Sequence, residues 1–278
     1  MSTRVALLQT CSSDQPDENT TTLLSMIADA ARQGAKFVAT PEVSNCVSAS
    51  RTHQNAVLQQ ENEDTTLSAL QAAAQEHGIW LLIGSLALKT NDPDGRFSNR
   101  SFLIAPDGEI RARYDKIHMF DVQVSETETY KESAGYRPGN KAVCTETDFA
   151  KVGMTICYDV RFPDLYRQLA KAGAEILTVP SAFSPVTGEA HWESLLRARA
   201  IETGCFVLAP AQTGQHSASR GKPRKTYGHS MVISPWGEIL LDAGTSTGVH
   251  IVDLDMESVA KARGRVPSLI HDRPFDAP

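Results

Sequence analysis

Ser101-Phe-Leu-Ile-Ala-Pro-Asp-Gly-Glu-Ile110 reappears in the second half of the chain as Ser230-Met-Val-Ile-Ser-Pro-Trp-Gly-Glu-Ile239. Each copy reads as an apolar strand, a tight Pro-x-Gly turn and a second strand, which is a hairpin signature. Two more pairs precede it in the same order. Gly34-Ala-Lys-Phe-Val-Ala-Thr-Pro41 resembles Gly173-Ala-Glu-Ile-Leu-Thr-Val-Pro180, with small residues, a β-like apolar run and a closing proline. Glu76-His-Gly78 before Ile79 to Gly84 resembles Glu202-Thr-Gly204 before Cys205 to Ala209, each a helix that stops at glycine and feeds a strand. The periodicity predicts helices over Asp17 to Gln33, Thr65 to His77, Phe162 to Lys171, His191 to Thr203 and Met256 to Arg263, with Val/Ile/Leu-rich strands between them from Val5 to Gln9 onward. Two similar α/β halves, each with a sheet face to hide, bury those faces against one another and leave their helices outside. The expectation is a single domain over residues 1–278, a four-layer αββα sandwich of two pseudo-symmetric halves.

Composition narrows the function. The 278 residues suffice for a sizeable core, and 41% hydrophobic with 22% charged residues describes an ordinary soluble enzyme rather than a disordered or low-complexity chain. The most apolar stretch, Ile79 to Leu88, is about half of the roughly 20 residues a membrane span needs. No secretory signal is read at the start, which lacks a long apolar region and a small-residue cleavage site. Lys and Arg total 27 against 33 Asp and Glu, a net charge of −6, the wrong sign for a partner of nucleic acid. The basic cluster Arg220 to Lys225, broken by Gly221 and Pro223, reads as a solvated loop. Five cysteines without a C-x-x-C point to a reducing compartment, hence the cytoplasm.

One cysteine stands apart. Cys157 lies between the strand Val152 to Ile156 and a helix opened by Phe162-Pro163-Asp164, where a helix N-terminus favours the thiolate and backbone N–H groups can receive an oxyanion. A nucleophilic thiol needs a base and an electrophilic helper. Glu42 follows the strand Phe37 to Thr40 and Pro41, the place that the repeat makes equivalent to Ser181. Lys116 ends the strand Ile110 to Tyr114 among aromatic and apolar neighbours that can desolvate its ammonium. Each alone is a weak signal, since a surface glutamate or a snorkelling lysine reads the same way.

Other spellings carry less. Gly244-Thr-Ser-Thr-Gly248 has the G-x-S-x-G pattern, but a strand, Val249 to Leu254, follows where a nucleophile elbow requires a helix. Gly214 to Lys222 lacks both the spacing and the Ser or Thr of a P-loop. No histidine pair has metal-ligand spacing, so neither metal nor cofactor is expected. A Cys-His hydrolase using His118, His191 or His229 is the rival within enzymes, and a non-catalytic scaffold is the rival outside them.

Taken together, Pro41-Glu42, Tyr114-Asp-Lys116-Ile-His-Met-Phe-Asp121 and Ile156-Cys157-Tyr-Asp-Val-Arg-Phe-Pro-Asp-Leu165 resemble the three catalytic segments of the nitrilase superfamily of carbon-nitrogen hydrolases, in family order and over nearly the whole chain. The resemblance implies Glu42 as general base, Lys116 as oxyanion stabiliser and proton donor, and Cys157 as nucleophile. It implies a second glutamate near the lysine, matched to Glu132, with Glu126, Glu128 and Glu146 nearby. It also implies the αββα fold and a homodimer. Pro180-Ser-Ala-Phe183, Ala190-His-Trp-Glu193, Arg197-Ala-Arg-Ala-Ile-Glu202, Gln212-x-Gly-x-His216 and Tyr227-Gly-His-Ser-Met231 look like the deaminated glutathione amidase branch, with the ω-amidases acting on 2-oxoglutaramate as the near alternative. The expected reaction hydrolyses an amide of a 2-oxo acid to carboxylate and ammonia through a Cys157 thioester. The backbone N–H of Tyr158 helps hold the oxyanion, Arg161 and Thr187 take the substrate carboxylate, and Phe183 and Trp192 shape the pocket wall. For Arg161 a structural ion pair with Asp159 or Asp164 is the competing reading.

Overall fold

In the computed structural model, which describes residues 2–124, 126 and 128–276, the hairpin repeat is the architectural repeat. The first half runs β1 (Ser2–Gln9), α1 (Pro16–Arg32), β2 (Phe37–Ala39), α2 (Arg51–Val57), α3 (Thr65–His77), β3 (Trp80–Leu88), β4 (Ser98–Ile104) and β5 (Ile110–Asp115). A small hairpin, β6 (Asp121–Gln123) and β7 (Thr129–Lys131), leads to the second half. That half continues through β8 (Val143–Glu146), β9 (Lys151–Met154), α4 (Pro163–Lys171), β10 (Ile176–Thr178), α5 (Pro185–Thr203) and β11 (Phe206–Ala209). A second small hairpin, β12 (Thr213–Gln215) and β13 (Lys225–Tyr227), precedes β14 (Met231–Ile233), β15 (Ile239–Asp242), β16 (Gly248–Asp255) and α6 (Glu257–Arg265).

Two six-stranded sheets result, in the orders β16-β1-β2-β3-β4-β5 and β8-β9-β10-β11-β14-β15. Strand directions match position by position: antiparallel, parallel, parallel, antiparallel, antiparallel. Even the irregularity repeats. The β4–β5 register shifts between Leu103 and Ile104 and the β14–β15 register between Val232 and Ile233, the corresponding residues of the two quoted stretches. Both turns close through glycine at positive φ, Gly108 at 83° and Gly237 at 88°, which is the left-handed residue a bulged three-residue loop demands.

Alternation along the strands sends side chains to two cores. Val5, Leu7, Leu82 and Leu103 face the other sheet and meet Val152, Met154, Ile176 and Leu208, whereas Ala6, Leu8, Leu81, Ile83 and Phe102 face outward onto Leu23 and Ile27 of α1 and Leu67 and Leu70 of α3. Leu165 and Leu169 of α4 and Leu196 of α5 cover the second sheet from its other side. The layers are therefore α, β, β, α.

The halves are not self-contained, however. The first sheet is completed by β16 from the C-terminal end, which pairs with the whole of β1. Two helices also differ from the sequence expectation. The α2 turn is short and its N-cap Ser50, accepting from His53 N, stands in a polar run without apolar periodicity. The fifth helix begins at Pro185 rather than His191, because Pro suits a first turn and Gly188 is tolerated there: its missing Cβ leaves room for the Tyr227 ring, 2.3 Å from where that atom would lie.

Candidate active site

Each strand-end segment singled out in the sequence meets the others at one edge of the sandwich. Thr40, Pro41 and Glu42 continue β2, Val179, Pro180 and Ser181 continue β10, and the two segments pack over Gly84 of β3. A Cβ there would lie 2.0 Å from the Thr40 carbonyl oxygen and 2.5 Å from Pro180 Cβ, so only glycine permits this approach. Beyond Glu42 the chain turns at Val43, with φ of 47°, and its N–H donates to Ser85 Oγ at 2.7 Å.

Cys157 has a left-handed backbone, φ 48°, an unfavourable conformation for a residue with a Cβ, and its N–H donates to the Pro180 carbonyl at 3.0 Å. It opens a 3-10 turn, Cys157–Arg161, ahead of α4. Asp159 fixes that turn. Its carboxylate is wholly buried and accepts from Ile156 N at 2.8 Å, Tyr114 Oη at 2.7 Å, His118 N at 3.0 Å and His118 Nδ1 at 2.7 Å. One carboxylate thus ties the cysteine turn to the segment that carries Lys116.

Lys116 follows β5, and its ammonium lies between two carboxylates: Nζ donates to Glu42 Oε1 at 2.8 Å and to both Glu132 oxygens at 2.9 Å. Glu42 is buried, and its carboxylate also accepts from Asn99 Nδ2 at 2.9 Å and Ala182 N at 2.8 Å. Glu132 sits in a 3-10 turn, Glu132–Ala134, and accepts from Phe120 N at 2.7 Å. Of Glu126, Glu128, Glu132 and Glu146, Glu132 is the one that reaches Lys116 among the described residues; Glu128 accepts from Tyr130 and Glu146 pairs with Lys151.

The protonation pattern follows from these contacts. Burial alone would raise Glu42, yet the charge and hydrogen bond of Lys116 hold it below the ordinary carboxylate value. Burial opposes the Lys116 charge, but Glu132 and Glu42 raise its pKa well above the usual lysine value. Cys157 is pushed far up, first by burial and then by the charge of Glu42, against which Lys116 pulls only partly. The resting site therefore holds a neutral thiol beside an ionised carboxylate. Desolvation and the two carboxylates act against the thiolate that a helix start favours.

Glu42, Lys116, Glu132 and Cys157 line one cavity of about 470 Å³, a size suited to a small molecule. Tyr158, Phe183 and Thr187 line it as well. Two expected pocket residues do not. Trp192 is buried behind Phe183, ring centroids 4.9 Å apart, with Nε1 donating to the His229 carbonyl at 2.8 Å. Arg161 lies outside the lining, with Nη2 at 3.1 Å from His191 Nδ1, and is paired with neither Asp159 nor Asp164 among the described residues. No histidine lines the cavity among the described residues: His118 is held by Asp159 and stacked on Phe162, and His229 is beside Asp242 at 2.9 Å.

Sequence reasoning missed Asn99, Arg51, Tyr136 and Arg224, all in the lining. Asn99 carried little signal, since it stands in the polar run Ser98-Asn-Arg-Ser101 that opens β4. Arg224 was hidden in the basic cluster: Arg220, Lys222 and Lys225 are exposed as expected, but Arg224 turns inward and donates from Nη2 to the Ala182 carbonyl at 2.6 Å.

Comparison with known proteins agrees with this architecture. Deaminated glutathione amidase of Synechocystis is 41% identical over 270 residues, covering 96% of this chain and 96% of that protein, and its Yersinia enterocolitica namesake is 38% identical, covering 97% and 92%. Human omega-amidase NIT2 is 35% identical over 95% of this chain and 92% of its own length. Among solved structures, Caenorhabditis elegans NitFhit superposes with a TM-score of 0.89 at 33% identity, covering 98% of this chain, which spans 65% of that one. Saccharomyces cerevisiae Nit3, a member of the nitrilase superfamily, gives 0.83 at 28% identity, covering 98% and 96%. Residues 4–264 match the carbon-nitrogen hydrolase family model, and the chain belongs to that family.

Proposed function

We propose that the protein is an amidase that hydrolyses deaminated glutathione, with Glu42, Lys116 and Cys157 as its catalytic groups and Glu132 as the carboxylate that positions Lys116. The observation that carries the chemistry is the meeting in one cavity of Cys157, Glu42 and Lys116, whose Nζ donates to Glu42 Oε1 at 2.8 Å and to Glu132 at 2.9 Å. Glu42 takes the thiol proton as Cys157 Sγ bonds to the amide carbon, and the oxyanion forms against Lys116 Nζ and the Tyr158 N–H, one of the donors that a helical start leaves without an internal acceptor. Collapse breaks the C–N bond, and the leaving amine takes the proton from Glu42. Water then gives a proton to Glu42 and attacks the thioester; the thiolate leaves and recovers that proton.

The leaving group depends on the substrate. A primary amide such as 2-oxoglutaramate releases the ammonia expected from the sequence, whereas the amide of deaminated glutathione joins a 2-oxoglutaryl group to cysteinylglycine and releases that dipeptide and no ammonia, which corrects the expectation for this substrate. The cavity charge favours the latter. Among its described lining residues Arg51, Lys116, Lys131 and Arg224 are cationic against Glu42 and Glu132, an excess that suits a substrate with two carboxylates in a chain whose net charge is −6.

Both substrates yield 2-oxoglutarate, so one coupled assay ranks them. Higher kcat/KM for deaminated glutathione, abolished in Cys157→Ala, supports the reading; preference for 2-oxoglutaramate moves the protein to the ω-amidases, and inactivity on both rejects it. Five free cysteines are in keeping with a reducing, cytoplasmic setting. We propose a homodimer as well, since Val186, Ile201, Trp236, Ile239 and Leu240 expose 40% or more of their surface; a monomeric mass by light scattering would overturn it.

A further inference from the structure

The cations of the cavity are not equally available. Lys116 is engaged by two glutamates. Arg51 donates to the carbonyls of Gly135 and Gly95 and lies over the Phe97 ring, 3.9 Å from its centroid, so its guanidinium is spent on holding backbone. Lys131 is exposed at the rim. Arg224 differs from all three. A single hydrogen bond, to the Ala182 carbonyl, anchors its guanidinium, and it pairs with no carboxylate among the described residues. Its Nε is buried without a hydrogen-bond partner among the described residues. A buried guanidinium N–H without an acceptor costs free energy, and a carboxylate is the acceptor whose geometry fits the fork.

Its position is also determined. Ala182 N donates to Glu42 Oε2 while Ala182 O accepts from Arg224, so one residue spaces the arginine from the proposed base. The Tyr130 ring lies against the guanidinium, 5.8 Å from ring centroid to Cζ. The loop is pinned below by buried His216, whose N–H donates to the Arg224 carbonyl at 2.9 Å and whose Nε2 is 2.8 Å from Thr226 Oγ1.

We propose that Arg224 is the specificity-determining residue of this site, which binds a carboxylate of the amide substrate and so selects anionic over neutral amides. This rests on the amidase reading above. The carboxylate comes either from the 2-oxo acid or from the glycine end; Arg161, with Cζ 5.9 and 5.8 Å from the Tyr158 and Phe183 ring centroids, borders two of the lining residues without being in the lining itself.

The test compares wild type, Arg224→Gln and Arg224→Lys on deaminated glutathione, on its glycinamide analogue and on the methyl ester of its 2-oxo acid end. In Arg224→Gln, KM for deaminated glutathione rises at least tenfold with kcat within threefold, and selectivity against one analogue collapses toward unity. The analogue affected identifies the carboxylate. Arg224→Lys, which keeps the charge and loses the fork, falls between and carries the test if the Gln variant does not fold. Unchanged selectivity against both analogues overturns the proposal. If wild type hydrolyses none of these amides, the amidase reading fails separately, and calorimetric titration of 2-oxoglutarate into Cys157→Ala and Cys157→Ala/Arg224→Gln decides: tenfold weaker binding in the double variant upholds the carboxylate site, and equal or absent binding in both overturns it.

Discussion

Replacing Asp159 by Asn perturbs the joint between the Cys157 turn and the Lys116 segment without touching either residue. The carboxylate accepts four hydrogen bonds of 2.7 to 3.0 Å, two on each oxygen, and is wholly buried. In Asn one oxygen becomes an NH2 donor. If it replaces Oδ2, Tyr114 Oη can rotate to accept, but Ile156 N–H is stranded. If it replaces Oδ1, His118 Nδ1 can accept in its other tautomer, but His118 N–H is stranded. Either orientation leaves one buried backbone donor without a partner, about 1–3 kcal/mol, and strips the charge assistance from the remaining bonds, about 0.5–1 kcal/mol each. The expected loss is about 3 kcal/mol, or about 6–12 °C in Tm for a chain of this size. A shift of about 1 Å in the thiol lowers turnover by about 100-fold. Thermal denaturation and steady-state kinetics on the same samples measure both, with Tyr114→Phe, which removes one of the four bonds, as an intermediate. A Tm within 2 °C of wild type together with kcat/KM within threefold would refute the assignment of Asp159 as the joint.

Three further expectations follow from the geometry. Because the Cys157 thiol is raised above its ordinary value and Glu42 lowered, the rate of iodoacetamide alkylation climbs through pH 9 without a plateau, and the acid limb of kcat/KM, where Glu42 loses its charge as pH falls, lies below about pH 4.5; a thiol titration below pH 8 contradicts this. Burial lowers His216 from 6.5 to about 4, so folding disfavours its protonation: its stabilisation is complete above pH 6.5 and falls by up to ~3 kcal/mol as pH drops toward 4. Denaturant midpoints at pH 7.5 and 4.5 should therefore differ more in wild type than in His216→Gln, and equal differences exclude the residue as the source. Gly84→Ala forces a Cβ against the Thr40 carbonyl and costs well over the ~1–3 kcal/mol of ordinary overpacking, visible as lost soluble yield or a Tm lower by more than 10 °C; a wild-type melt rules out the close approach.

Much of the fold was legible because the duplicated hairpin carries its own punctuation: Pro and Gly at the same offsets set the same turn and the same bulge in both sheets. The return of β16 to β1 was not legible, since an alternating strand does not name its partner. Glu42, Lys116 and Cys157 each follow a strand, and strand ends converge at a sheet edge, but each was a weak signal until the resemblance joined the three segments. Glu132 had only the resemblance to recommend it, as a residue of a short turn between small elements. Arg224 was misjudged with its exposed neighbours, because one backbone carbonyl, contributed by a segment far away in the chain, draws it inward. Trp192, expected to shape the pocket wall, lies one layer back, because the Phe183 ring stands in front of it.

The meeting of strand ends from both halves has a consequence for how the chain could be divided. Glu42, Lys116 and Glu132 precede the exposed segment around Asn140, whereas Cys157, Ala182 and Arg224 follow it, and the first sheet lacks its edge strand until β16 arrives from the far side. A chain severed there leaves one fragment with Glu42, Lys116 and Glu132 and another with Cys157 and Arg224. Neither fragment has a complete first sheet, so on the proposed mechanism amide turnover requires their reassociation, and its return after mixing the two parts would report their docking.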